Sequence, residues 1–238
     1  MSLTLKEAVH NVNKTNSVDC KGYIKTTLPC SRGFYATNIV KKNEDKIIYL
    51  LTNGKENRIT KVYPVQDIGN EIELMDRLCK YDICPTITKN DIFSKEGTDY
   101  VYIEMERLCG TIEDILQYKL NDKDLDVLLI LIIRLLKKLC ELNISHGDFH
   151  WKNIGFKFDK NKNGIHLRLI DFEFGEFVCN PRLDVLQLIR SIDSKYAPNV
   201  NKDNREYLRN KLVDVYKNKF NKNFVITQVE KEFELLKK

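Results

Sequence analysis

Two short stretches concentrate the side chains that can do chemistry. Ser145-His146-Gly147-Asp148-Phe149-His150-Trp151-Lys152-Asn153 brings a carboxylate, two imidazoles, an ammonium and a carboxamide together. Leu169-Ile170-Asp171-Phe172-Glu173 follows with two further carboxylates. A carboxylate can take a proton from a hydroxyl or bind a hard cation through oxygen. A carboxamide oxygen can bind such a cation without adding charge. A lysine can neutralise anionic charge that develops during a reaction. In a third stretch, Arg58-Ile59-Thr60-Lys61-Val62-Tyr63, alternation places Ile59, Lys61 and Tyr63 on one face of a strand.

The elements that must position these residues are legible from periodicity and turn chemistry. Segments 23–28, 34–41, 46–52 and 58–63 are rich in β-branched and aromatic residues and read as strands. Asn53-Gly54 marks a hairpin turn, lengthened by Lys55 and Glu56. Segment 66–81 reads as a helix, with Ile68, Ile72, Met75 and Cys79 on one face. Segments 86–93 and 100–105 read as two more strands. After Gly110 the pattern turns helical. Thr111 opens a cap-like Thr-Ile-Glu-Asp, and 122–143 carries enough Leu and Ile for a long buried helix. A strand at 154–158, a polar turn and a strand at 165–170 form a hairpin joining the two reactive stretches. Helices are predicted over 184–194, 204–217 and 225–237.

The order of these elements and the two motifs together resemble the protein-kinase superfamily. There an H-x-D-x-x-x-x-N loop follows a long buried helix, and D-F-x follows a short hairpin. The resemblance spans about residues 28–195 and implies a two-lobed α+β fold formed by the whole chain, 1–238. It implies an N-lobe over 1–104, an antiparallel sheet plus one helix; a hinge over 105–109; and a mainly helical C-lobe over 110–238. It further implies ATP and Mg²⁺ as cofactors. Asp148 would orient or accept the proton of the acceptor hydroxyl. Asn153 and Asp171 would hold the metal, and Lys152 would neutralise the transferring phosphoryl group. Lys61, paired with Glu71, would bind the α- and β-phosphates, with Glu73 the competing partner. Met105 would be the gatekeeper, and the backbone of Glu106 and Leu108 would bind adenine. His146 would be structural, packed on Phe172. There is no G-x-G-x-x-G. Ser31 and Gly33, in Cys30-Ser31-Arg32-Gly33, are the candidates for the phosphate-covering loop.

Departures from the common pattern narrow the class. Glu173 stands where protein kinases carry Gly, no A-P-E follows, and the segment from Asp171 to Asp184 is too short for a regulated loop. This is similar to compact, atypical members: the haspin and RIO-type kinases, and the choline-kinase and aminoglycoside-phosphotransferase branch. The first expectation is a protein serine/threonine kinase, because little chain remains after residue 184 for a dedicated small-molecule pocket. A kinase of a small-molecule alcohol is the second, and an ATP-binding pseudokinase the third.

Composition sets the outer limits. A net charge of +5 from 39 basic and 34 acidic residues, scattered along the chain, points to no nucleic-acid partner. The longest apolar run is too short to cross a bilayer, so no membrane partner is expected. Seven cysteines at irregular spacing suggest neither a disulfide framework nor a zinc site, and a reducing, cytoplasmic setting is expected.

Overall fold

The computed structural model describes residues 2–15, 34–42, 46–159, 164–193 and 195–219. The chain divides into two compact units, residues 17–108 and residues 1–16 with 109–238. The predicted strand at 23–28, the predicted helix at 225–237, and Ser31 and Gly33 lie outside the described residues.

The first unit is built on an antiparallel sheet. Its strands are β1 (Tyr35–Lys42), β2 (Ile47–Thr52), β3 (Asn57–Pro64), β4 (Ile87–Lys95) and β5 (Thr98–Glu106), in the order β1-β2-β3-β5-β4. β3 is central, and Lys61 lies opposite Ile48 on one side and Ile103 on the other. The lengthened turn after β2 closes on the Asn53 side chain, which accepts from the N–H groups of Lys55 and Glu56.

One helix, α2 (Glu71–Cys79), completes this unit. It is shorter than the periodicity predicts. The chain first makes a 3-10 turn at Val65–Asp67, and Gly69 at φ +53° then breaks the path before the helix starts. The buried face also differs from the one expected. Glu71, Leu74, Met75 and Leu78 are buried at helical spacing, while Ile72 and Cys79 are only partly covered. That rotation puts Glu71 inside and leaves Glu73 in solvent.

The second unit is mainly helical. It contains α1 (Leu5–Thr15), α3 (Ile112–Leu116), α4 (Asp122–Glu141), α5 (Pro181–Ser191) and α6 (Lys202–Lys219), with strands β6 (Gly110–Thr111), β7 (Ile154–Asp159) and β8 (Gly164–Leu169). The capping box at Thr111 forms as predicted, with Asp114 as its partner. α4 buries nine apolar side chains over its 20 residues and carries this unit's core. The N-terminal helix was not predicted. Residues 1–16 group with this unit, not with the sheet to which the sequence assigned them. Leu3 bonds to the Lys119 carbonyl, and the Leu5 N–H donates to Asp124. Asn204, fully buried on α6, donates to the carbonyls of Leu116 and Tyr118 and accepts from the Leu120 N–H. No described helix is long and apolar enough to cross a membrane.

One cysteine expectation is corrected. Cys140, at the end of α4, is disulfide-bonded to Cys179, 39 residues away, with a Cα–Cα separation of 4.9 Å. The tertiary path makes this pair. Glu176 bridges to Ser145, and Asn143 bonds to both the Phe177 carbonyl and the Cys179 N–H, so the chain returns beside the end of α4.

Candidate active site

The hairpin β7–β8 brings the two reactive stretches of the second unit together. Ile154 pairs with Leu169, and the Ile170 N–H donates to the Asn153 carbonyl at 3.0 Å. Asn153, just before β7, and Asp171, just after β8, therefore meet at the same end of the hairpin. Asp171 adopts φ +70°, a backbone region that non-glycine residues rarely occupy and that recurs at functional sites.

The loop before β7 is held from several sides. His146 is fully buried, its Nε2 is 3.0 Å from the Ile170 carbonyl, and its ring lies 4.6 Å from that of Phe172, the structural role expected of it. Gly147 sits at φ +76°, and a Cβ there would come within 1.9 Å of the Phe174 carbonyl oxygen, so only glycine fits. Asp184 accepts from the N–H groups of His146 and Gly147. Gln187, one turn later on α5, accepts from the Phe149 N–H and donates to the Gly147 carbonyl. The Trp151 indole is buried and donates to the Leu188 carbonyl. Asp148 is thus bracketed by fixed backbone on both sides.

Asp148 itself remains accessible, with its side chain 39% exposed. His150 Nε2 is 3.2 Å from its Oδ2, and Asn153 Nδ2 donates to the same oxygen at 3.1 Å. The bond from His150 holds the Asp148 carboxyl below the usual carboxylate range, so it is ionised at neutral pH. Both contacts use Oδ2, which leaves Oδ1 for a ligand. Asn153 also donates to the Asp148 carbonyl, which leaves its amide oxygen as an acceptor. That oxygen and the Asp171 carboxylate are hard donors of the kind magnesium takes. Lys152 donates to the Tyr196 carbonyl at 3.1 Å and lies 3.7 Å from Glu113. Burial pushes the Glu113 carboxyl up, and Lys152 opposes that shift.

A cavity of about 490 Å³ opens beside this loop. Glu113 of α3 and Asp148, His150, Trp151 and Lys152 line it on one side, and α5, α6, Asp193 and Tyr196 supply the rest. The whole cavity lies within the helical unit.

In the sheet unit, Lys61 and Glu71 meet as predicted. Lys61 Nζ is 2.5 Å from Glu71 Oε1, and both side chains are buried. The Tyr63 hydroxyl donates to Glu71 Oε2 at 2.6 Å, a contact that sequence reasoning missed although Tyr63 shares the face of Lys61. Met105 is buried on β5. The Glu106 N–H is taken by the Thr86 carbonyl. Leu108 is half-buried, and its N–H has no partner among the described residues. Adenine contact by this stretch would therefore use the Leu108 N–H and not that of Glu106.

Two buried groups behind Asp148 make opposite contributions to acid stability. Burial pulls the His146 imidazole from 6.5 down to about 4, so the unfolded chain takes up that proton first and acidification through this window favours unfolding. Burial pushes the Asp184 carboxyl from 3.8 up to about 6, so the folded chain takes up that proton first. Its contribution is fully present below pH 3.8 and is lost as pH rises through 6. Asp184→Asn deletes only the second effect. The stability of wild type relative to this variant should rise by about 2 kcal/mol as pH falls from 7 to 4, because each tenfold difference in proton affinity between the folded and unfolded chain is worth about 1.4 kcal/mol and the unfolded carboxyl begins to take up its own proton near pH 4. Urea midpoints across pH measure it, and a gap that stays constant would show that Asp184 titrates normally.

Comparison with known proteins agrees with this geometry. Among solved structures the fold is similar to that of "WaaP in complex with acyl carrier protein", with a TM-score of 0.54, 12% identity and 83% of each chain covered. No curated protein sequence matches the chain. The sequence model of the "Ecdysteroid kinase-like family" matches residues 73–228, a span that begins within α2, after Glu71, and holds the loop at 145–153, the hairpin and Asp171. The chain belongs to the ecdysteroid kinase-like family, within the protein-kinase-like superfamily.

Proposed function

We propose that this protein is an ATP-dependent phosphotransferase that phosphorylates a hydroxyl group on a small molecule. The observation that carries this reading is the cavity of about 490 Å³ with Asp148 in its wall. Too little chain after Asp184 for a small-molecule pocket was the reason to expect a protein serine/threonine acceptor. The cavity removes that reason, because α5, α6 and the loop at 193–196 supply its walls. Its size is in the range that encloses small ligands. The family description points the same way, since an ecdysteroid is a small polyhydroxylated molecule.

Asp148 would act on the acceptor through Oδ1, with Oδ2 tied to His150 and Asn153. Its lowered pKa makes it an orienting base that receives the proton late, as phosphoryl transfer requires little early deprotonation. Asn153 and Asp171 would hold magnesium, which supplies charge neutralisation on the phosphates. Lys61, positioned by Glu71 and Tyr63, would pair with the α- and β-phosphates. The Leu108 N–H would meet the adenine edge.

The test is transfer of labelled phosphate from ATP, with magnesium, to a panel of small alcohols and to general protein substrates. Labelled small-molecule ester is the expected product. Chelation of magnesium, or Asp171→Asn, should abolish it, because either removes the anion–cation contact at the phosphates. Transfer only to protein hydroxyls would return the reading to a protein kinase. Asp171→Asn with unchanged turnover would sink the metal assignment.

A further inference from the structure

The cavity beside Asp148 carries charge that the phosphate donor does not explain. Its cations are Lys152, Arg190 and Arg209, and its anions are Glu113, Asp148 and Asp193. The anions are engaged. Asp148 bonds to His150 and Asn153, Glu113 faces Lys152, and Asp193 accepts from the Lys195 N–H. The side chains of Arg190 and Arg209 have no hydrogen bond, ion pair or ring contact among the described residues. Every other described arginine of this unit has one. Arg182 bonds to Tyr216 and Arg205 to the carbonyls of Ala197 and Val200, while Arg134 and Arg168 have partners too.

The placement of these two side chains relates them to the reacting end of the cavity. Arg190 is three residues after Gln187 on α5, so their Cβ atoms are about 5–6 Å apart on one helix face. Gln187 grips the backbone on both sides of Asp148. Arg190 is thus about one helical turn from the loop that presents the base, and Arg209 lines the same cavity from α6. Guanidinium groups match phosphate and carboxylate oxygens through paired N–H donors.

Resting on the small-molecule reading above, we propose that the acceptor is a compact anionic alcohol. Its hydroxyl meets Asp148, and its phosphate or carboxylate group is held by Arg190 and Arg209. In the transfer, the acceptor oxygen forms a bond to the γ-phosphorus of ATP as the bond from that phosphorus to the β,γ-bridging oxygen breaks. The hydroxyl proton passes to Asp148, and the products are ADP and a phosphate ester bearing a second anionic group.

The test uses Trp151, the chain's single tryptophan, which lines the cavity and reports on its occupancy. With the full chain saturated by magnesium and a non-hydrolysable ATP analogue, fluorescence is titrated with glycerol 3-phosphate, 3-phosphoglycerate and glucose 6-phosphate. Glycerol, glucose and a neutral polyhydroxylated steroid are titrated in parallel, and sulfate serves as the anion without a hydroxyl. At least one anionic alcohol should bind roughly tenfold or more tightly than its neutral parent and than sulfate, as expected for charge-assisted pairing. The double variant Arg190→Gln/Arg209→Gln should abolish that ratio with its thermal midpoint unchanged. Equal binding of neutral and anionic alcohols, binding no tighter than that of sulfate, no binding of any anionic alcohol, or a ratio that survives the double variant overturns the proposal. Thermal stabilisation by Mg·ATP is recorded separately. A protein stabilised by Mg·ATP that transfers phosphate only to neutral alcohols keeps the kinase reading and loses this one. A protein with no response to Mg·ATP loses the kinase reading itself.

Discussion

Asp148→Asn is expected to lower turnover by roughly 10²–10⁴-fold while Mg·ATP still binds, the usual worth of a positioned general base. That corresponds to about 3–5 kcal/mol in the barrier. The substitution is nearly isosteric, so the bracket formed by Asp184, Gln187 and Asn153 around the loop stays intact. What is lost is a carboxylate in the wall of the cavity that is ionised at neutral pH and whose Oδ1 is left for a ligand. Asparagine can still orient a hydroxyl but cannot receive its proton. Stopped-flow nucleotide binding and single-turnover transfer, run on both proteins, separate the two effects. A variant with wild-type transfer rate would mean that the proton leaves by another route, and Asp148 would lose its role. A variant that no longer binds nucleotide would mean that its carboxylate chiefly supports the phosphates.

The parts of this site that were legible in the chain share one property: their partners are set by local geometry. Asn153 and Asp171 flank a hairpin whose two strands and polar turn are readable in order, so their meeting follows from strand pairing alone. Thr111 and Asp114 are three residues apart, and the capping box needs nothing else. Glu71 was identified over Glu73 by resemblance, and the physical reason emerges only from packing, since the helix buries 71, 74, 75 and 78 and not the face first expected. Gln187 and Asp184 carry a weak signal, being one turn apart on α5, but nothing in the chain says that their targets are backbone groups some 37 to 40 residues earlier. The His150–Asp148 contact could have been inferred from an i, i+2 spacing in a loop, yet loop rotamers are set by neighbours such as the buried Trp151. The N-terminal helix had its signal in plain view, with Leu5, Ala8, Val9 and Val12 at helical spacing. Its docking on the helical unit did not, because that depends on Asp124 and the Lys119 carbonyl far along the chain. The Cys140–Cys179 bond belongs to the same class of long-range consequence.

Glu71→Leu should destabilise the protein by about 3–5 kcal/mol, the cost of removing one member of a buried, hydrogen-bonded ion pair. Lys61 is 4% exposed and Glu71 is fully buried, so water cannot stand in for the missing carboxylate without local opening. The loss would not come from apolar packing, because leucine fills much of the same volume beside Leu74, Met75 and Leu78. The companion Lys61→Met/Glu71→Leu separates charge from shape. Replacing both members of a buried pair by apolar residues of similar size is often close to neutral, so the double variant should recover most of the stability lost by the single one. Recovery should stop short of wild type because the buried Tyr63 hydroxyl loses Glu71 as its acceptor. Phosphate transfer should be lost in both variants, since neither retains a cation held for the α- and β-phosphates. Equilibrium unfolding in urea gives the stabilities, and a single-turnover assay gives the transfer. If single and double variants prove equally unstable, Lys61 and Glu71 are not energetically coupled and the helix α2 is held by its apolar face alone. If the double variant is stable and still transfers phosphate at the wild-type rate, the pair belongs to the architecture of the sheet unit, and the nucleotide is held by other residues.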